Sequence, residues 1–447
     1  MDRFKKIIKW LNAERIIAIV ALALTCVSLV YAISINSKSN EQIGFITDLL
    51  NADALDIAYN KSTEELTELE KQKIKVAVER ASKAKTADSY FLQGFYYTKI
   101  ETQYKKAIKF FEKAIKLKPD LAEAYSNMGV AYEDWNGQHE KAIKCYEKAI
   151  KLKPDLAVAY CNMGVAYYHW NGQYKKAIEC YKKAIKLKPD FAVAYCNMGA
   201  AYSDWNGQYE KAIECYEKAI ELNPDYAEAY NNMGNAYKHW NGQYEKAIEC
   251  YKKAIDLKPD YAVAYFNMGN AYEDWNGQYE KAIEYYEKAI ELNPDYAEAY
   301  NNMGIAYYYW NGQYEKAIKY YKKAIKLKPD FAVAYCNMGA AYAQGKHNYE
   351  KEIKCYKKAI DLKPDYAVAY FNMGNAYKHW NGQYEKAIEC YEKVIKLNPD
   401  DAVAYFNMGN AYGLSGNEKK KIECYKKAAK LGYEYAIELL KDMGETW

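Results

Sequence analysis

The chain is 447 residues long, with 63 basic residues against 59 acidic ones and a formal net charge of +4. The two signs alternate closely, which makes a solvated surface and excludes the clustered basic face that nucleic-acid binding needs. Tyrosine occurs 51 times and proline only 9 times, a bias that points to one short unit copied many times instead of several ordinary globular domains.

Residues 1–15 carry Arg3, Lys5, Lys6, Lys9 and Arg15, and residues 16–35 (IIAIVALALTCVSLVYAISI) then run without a charge. A helix of that length spans ~30 Å, the thickness of the hydrocarbon core. Over a comparable stretch downstream only Lys38 is basic. The positive-inside rule therefore leaves the N-terminus in the cytoplasm and sends the rest across the membrane. The expectation is a single-pass transmembrane helix with the following chain on the exoplasmic, or periplasmic, side. The rival readings are a soluble exported protein, with cleavage after Val30-Tyr31-Ala32, and a chain facing the cytoplasm. Signal cores usually run ~7–15 apolar residues, which favours the uncleaved anchor. Residues 36–86 hold no proline and only Gly44, and segments such as Thr63 to Ala84 are helical in pattern, so they read as a stalk or leading helices.

From there the sequence repeats. Pro119, Pro154, Pro189, Pro224, Pro259, Pro294, Pro329, Pro364 and Pro399 stand 35 residues apart, and the block between them recurs almost unchanged. The register extends back to Ala87, through Tyr90, Gly94, Tyr97, Ala107, Phe111 and Ala114, and forward to Tyr435, so ten copies fit in residues 87–435. Each copy predicts two helices. Asp225 with Glu228, like Asp120 with Glu123, is expected to form a capping box at the start of the first. That helix runs to Trp240, and Asn241-Gly242 supplies the positive backbone angle of a turn. The second helix buries Ala247, Ile248, Tyr251, Ala254 and Ile255, spaced as one helical face, and the next proline ends it. Gly234 and its equivalents mark a close approach of two helices. Neither helix is stable alone, so the copies must stack into one line. Two copies break the pattern: Ala341 to Glu350 lacks Trp-Asn-Gly and has Glu352 for alanine, and the last copy has a shorter turn with Lys421 in the alanine place. Residues 436–447 close the chain as a C-terminal cap.

The order carried by Tyr230, Met233, Gly234, Tyr237, Ala247, Tyr251, Ala254 and Pro259 resembles the tetratricopeptide repeat signature, over more than three quarters of the chain. The resemblance implies an all-α fold, an α-α superhelical solenoid of about ten helix pairs, here preceded by one transmembrane helix. It also implies protein or peptide binding in a groove formed by the first helices.

Asn127, Asn162, Asn197, Asn232, Asn267, Asn302, Asn337, Asn372 and Asn407 occupy one place in the first helix of nine copies. The column resembles the asparagine ladder in the repeat domain of O-linked N-acetylglucosamine transferase, which implies a peptide-binding groove. A carboxamide both donates and accepts, so it can satisfy a peptide C=O and N–H together. The competing use is structural, each Asn bonding a neighbouring helix. Beside the column the residues vary: Val130, Val165, Ala200, Asn235, Asn270, Ile305, Ala340, Asn375 and Asn410, then Glu133, Tyr168, Ser203, Lys238, Glu273, Tyr308 and Lys378. Such variation suits either partner selectivity or drift at exposed positions. The lysine that similar domains place before the asparagine to clamp a terminal carboxylate is absent; Ser126, Cys161, Cys196, Asn231, Phe266, Asn301, Cys336, Phe371 and Phe406 stand there.

The recurring tryptophans at the turn read as packing between copies. His169, His239 and His379 lie two or more copies apart, too far to share a metal ion. One cysteine group (Cys145, Cys180, Cys215, Cys250, Cys355, Cys390, Cys424) gives way to Phe110, Tyr285 and Tyr320 in other copies, and a second (Cys161, Cys196, Cys336) to Ser, Asn or Phe. The groups do not come and go together, so they read as free, partly buried thiols acting as small apolar residues. No phosphate loop, nucleophile elbow or zinc-protease motif occurs in the sequence. The expectation is a non-enzymatic scaffold for proteins or peptides, with no cofactor, metal, nucleic acid or small-molecule substrate. The alternatives are a substrate-recruiting accessory subunit of a separate enzyme and a structural spacer.

Overall fold

The computed structural model describes residues 54–55, 57–58, 66–81, 85–346, 348–380 and 382–447. The expected anchor, residues 16–35, its basic flank, residues 1–15, and much of residues 36–86 lie outside the described residues. Among the described residues no helix is long and apolar enough to cross a membrane.

The described secondary structure is entirely helical. A leading helix, α1 (Glu68–Ala81), comes before the pairs α2 (Ala87–Lys99) with α3 (Tyr104–Leu117), α4 (Ala122–Asp134) with α5 (His139–Leu152), and α6 (Ala157–His169) with α7 (Tyr174–Leu187). Next come α8 (Ala192–Asp204) and α9 (Tyr209–Leu222), then the pairs α10 (Ala227–His239) with α11 (Tyr244–Leu257) and α12 (Ala262–Asp274) with α13 (Tyr279–Leu292). Then follow α14 (Ala297–Tyr309) with α15 (Tyr314–Leu327), α16 (Ala332–Lys346) with α17 (Tyr349–Leu362), α18 (Ala367–His379) with α19 (Tyr384–Leu397), and α20 (Ala402–Leu414) with α21 (Glu418–Lys430). A final helix, α22 (Glu434–Asp442), closes the chain. Two compact units divide this series, one up to Asn206 and one from Gly207.

Each second helix is amphipathic. In α11 the buried residues are Ala247, Ile248, Cys250, Tyr251 and Ala254, spaced so that one stripe faces inward. Tyr251 is fully buried, and its ring lies where a Cβ on Gly234 would sit, 2.6 Å from Cε1. Only glycine leaves room for the ring, and the same juxtaposition recurs between Gly269 and Tyr286 and between Gly304 and Tyr321. At the turn, Asn241 and Gly242 take φ of 57° and 63°, and Gln243 Nε2 donates to the Trp240 carbonyl at 3.1 Å. That bond occupies one of the last orphan carbonyls of the first helix.

The start of the first helix differs from expectation. In α10 the N-cap is Tyr226, one residue past Asp225, and no side chain caps it; in α4 the N-cap is Leu121. The reason is competition: Glu228 Oε1 accepts from Lys258 Nζ at 3.0 Å and Glu123 Oε1 from Lys153 Nζ at 2.9 Å, across the pair, instead of folding back. A side-chain cap appears where the sequence places aspartate at the N-cap itself, at Asp401, which accepts from the Ala404 N–H at 2.9 Å.

The ends are covered. Ile74, Ala77 and Val78 of α1 share a core with Phe91 and Phe95 of α2. Ala436 and Leu440 of α22 are buried against Tyr425 and Ala428. Stacked repeats need such covers, because a terminal pair otherwise exposes its apolar side.

Candidate functional site

Positions along the first helices fix where the asparagines lie. Asn127 and Asn162 are buried; Asn197, Asn232, Asn267, Asn302, Asn337, Asn372 and Asn407 are half-buried. Most of their amides are already engaged inside the array. Asn267 Nδ2 donates to Asn231 Oδ1 at 3.0 Å, Asn337 Nδ2 to Asn301 Oδ1 at 3.1 Å and Asn302 Nδ2 to Asn270 Oδ1 at 2.8 Å. Asn197 and Asn372 approach the thiols of Cys161 and Cys336 at 3.9 and 4.0 Å. Asn232 accepts from Asn231 Nδ2 at 3.3 Å, while Asn127 and Asn407 donate to carbonyls one turn back in their own helices, Glu123 and Val403. The bonds of Asn197, Asn267, Asn302, Asn337 and Asn372 join consecutive first helices, so the column works partly as a seam. The acceptors were not identifiable from sequence. Asn231, Asn301, Cys161 and Cys336 each precede the asparagine of the previous copy, the place where a clamp lysine would stand, and Asn270 lies one turn beyond it.

Asn162 is the exception. Four of the five buried side-chain polar atoms without a partner among the described residues are Ser126 Oγ, Asn127 Oδ1, Glu133 Oε2 and Asn162 Nδ2, all on α4 and α6. Asn162 and Glu133 line an open depression of about 190 Å³, shared with Val130, Val165, Val193 and Asn197. One donor and one acceptor thus line it among the three valines, with Lys99 and Asp134 also on the wall. Burial raises the Glu133 pKa, against the opposing pull of His139, whose Nδ1 lies 2.9 Å from Glu133 Oε1. In the unit from Gly207 a second depression, about 260 Å³, is lined by Asn337, Asn372, Ile305, Tyr308 and Ala340. Both are smaller than the roughly 300–1,000 Å³ of small-molecule sites, and each suits single side chains of an extended segment.

Several of the variable residues bond within the array. Asn235, Asn270 and Asn375 accept from the buried hydroxyls of Tyr251, Tyr286 and Tyr391 at 2.7, 2.8 and 2.7 Å. Tyr168 donates to Asp204, and Lys238 donates to Asp274 at 3.1 Å, each on the next first helix. Val130, Val165, Ile305 and Ala340 remain to shape the depressions.

The unit of two helices, its glycine–tyrosine contact and its turn are matched by profiles described as TPR repeat over residues 102–134, 136–169, 168–204, 206–239, 346–379 and 381–416. Profiles described as Tetratricopeptide repeat match residues 225–295, 260–330 and 402–431. Together they take in more than half of the chain. The chain belongs to the tetratricopeptide repeat family. No curated protein sequence matches this tetratricopeptide repeat protein. Solved structures similar to it include MamA, 32% identical, aligned over 38% of this chain and 96% of that one with a TM-score of 0.34. Another is YrrB, a TPR protein with an unusual peptide-binding site, 30% identical over 43% of this chain and 96% of that one, TM-score 0.34. The human IFIT1 dimer with PPP-AAAA is 18% identical over 86% of this chain and 94% of that one, TM-score 0.48.

Proposed function

We propose that this tetratricopeptide repeat protein is a non-enzymatic scaffold, tethered by residues 16–35, that binds extended peptide segments along its first helices. The observation that carries the reading is that the unpartnered Asn162 Nδ2 and the unpartnered Glu133 Oε2 belong to residues lining one depression. A buried polar atom without a partner costs roughly 1–3 kcal/mol, a cost that a peptide C=O and N–H bound there would remove. Recognition through main-chain groups tolerates many sequences, while Val130, Val165 and Val193 accept the intervening side chains.

The test is N162A in full-length protein, assayed with a random-peptide display library and by thermal unfolding. Binding to selected peptides falls at least tenfold while stability is unchanged or raised, because the substitution removes an unsatisfied amide. Unimpaired capture by N162A and by the triple substitution at Asn232, Asn267 and Asn302 overturns the groove and favours a spacer. Tethering is tested by membrane fractionation of chains with and without residues 16–35, and its side by protease protection of the repeats.

A further inference from the structure

Three copies carry an aromatic ring at one place on the second helix. Tyr320 stacks on Tyr307 with centroids 5.3 Å apart and planes 4° from parallel, and also on Tyr300 at 6.5 Å. Tyr285 stands likewise between Tyr265 and Tyr272, and Phe110 between Tyr90 and Tyr97. Lysines sit over these rings: Lys316 lies 5.0 Å from the Tyr307 centroid, Lys319 5.7 Å from that of Tyr320, and Lys323 5.6 Å from Tyr320 and 5.2 Å from Tyr300.

In the pair α16–α17 the surroundings persist and the ring does not. Tyr335 and Tyr342 stand at the places of Tyr300 and Tyr307, and Lys351, Lys354 and Lys358 at those of Lys316, Lys319 and Lys323. The stacked tyrosine is replaced by Cys355, and Trp310, whose ring lies 6.2 Å from Tyr307, is replaced by Gly345. Tyr342 therefore lacks both of the ring neighbours that Tyr307 has. A cavity of about 970 Å³ opens there, lined by Tyr335, Met338, Tyr342 and Cys355 and walled further on by Trp380. Lys351, Lys354, Lys357, Lys358 and Lys386 outnumber Glu350 and Asp361 around it. Tyr335, Met338 and Tyr342 share a face of α16, and Asn337, two residues from Tyr335, projects about 200° away from it. This site is separate from the asparagine column.

We propose that this cavity docks an acidic peptide segment that inserts one aromatic side chain over Cys355, between Tyr335 and Tyr342. The occupant is read from the chain itself, which seats its own ring at this place in three copies. The charge around the opening selects carboxylates. Lys351 and Lys358 are seven residues apart on one helix, about 10 Å along its axis, so several carboxylates spread along an extended chain match them better than one on a small molecule. An aromatic ring entering the slot gains stacking and cation–π contact in the arrangement Tyr320 already shows.

The chain also supplies the test. C355Y installs the residue that two sister copies carry there, and Y320C, which keeps Trp310, reproduces the cysteine-and-tryptophan copies such as Cys250 with Trp240 and opens no slot, so both variants are expected to fold. The probe is a synthetic peptide of Glu and Asp around a single Phe, with its twin carrying Ala for Phe, titrated by fluorescence anisotropy into full-length protein. The inference expects the Phe peptide to bind wild type at least tenfold tighter than the Ala twin, to weaken roughly tenfold with C355Y, and to keep a single site of unchanged affinity with Y320C. N162A leaves this binding unchanged, which separates it from the groove. Equal binding of both peptides, no effect of C355Y, loss with N162A, or binding of phenylacetate alone overturns it.

Discussion

Replacing Gly234 by alanine sets two known effects against each other. In an exposed helix interior the change stabilises by roughly 1 kcal/mol through propensity. Here the new Cβ meets Tyr251 Cε1 at 2.6 Å, Cδ1 at 2.9 Å and Cζ at 3.0 Å. The ring cannot withdraw cheaply, since it is fully buried and its hydroxyl is held by Asn235 at 2.7 Å. Overpacking of this kind costs about 1–3 kcal/mol, and a ring that swings aside forfeits a hydrogen bond worth roughly 1 kcal/mol more. The steric term wins, with a net loss of about 1–2 kcal/mol. Repeat arrays can lose two-state behaviour, so the readout is hydrogen exchange of the α10 and α11 amides together with urea unfolding. Protection falls in those two helices first. Adding Y251L restores much of it, giving a favourable coupling of about 1 kcal/mol or more in the double-mutant cycle. A G234A protein as stable as wild type, or additive substitutions, refutes the close-packing argument.

Glu352 occupies the place of the fully buried Ala317 and Ala387, and its Oε2 has no partner. Burial pushes its pKa up to about 7 from 4.5, despite a hydrogen bond with Tyr356. Below pH 4.5 the acid is neutral in both states and costs little. As pH rises from 4.5 towards 7 the unfolded chain ionises first, so native stability falls. E352A is therefore more stable than wild type by roughly 1–3 kcal/mol at pH 8, and urea titrations show the gap shrinking towards pH 4. A gap that grows in acid contradicts the assignment. Burial raises the Cys145 thiol from 9.0 to about 12, leaving about a thousandth of the usual thiolate near neutrality. Cys145 and the equally buried Cys161, Cys250 and Cys390 are expected to resist a disulfide reagent at pH 8 until urea unfolds them, followed by mass spectrometry. N267A removes the bond to Asn231 and leaves a buried acceptor unpaired, so it costs about 1–2 kcal/mol, unlike N162A; equal effects of the two on thermal unfolding contradict the distinction.

The period and the helix pairs were legible because three signals agree at every copy: the proline that ends one pair, Asn-Gly at the turn, and the buried stripe exemplified by Ala247, Ile248 and Tyr251. The cap was misread because Asp225 and Glu228 fit a local rule, whereas Glu228 is drawn to Lys258 in the following loop, a contact that exists only once the helices pack. The asparagine column was visible as a polar residue repeated within an apolar pattern. Its bonding was not, because the acceptor lies 36 residues back, for example Asn231 for Asn267. Phe110, Tyr285 and Tyr320 were visible as substitutes for cysteine, but only the stacked rings show that they fill a slot.

Near-identical copies also confront a refolding chain with many equivalent docking choices. A first helix that docks on the second helix of another copy brings its glycine against a Tyr251-type ring as good as its own, looping out the chain between at modest cost. The copies that depart from the rule resolve this ambiguity. Glu352 fits poorly wherever alanine is required, and Lys421 fits no full-length turn, so each marks its own address and penalises an array assembled one step out of place.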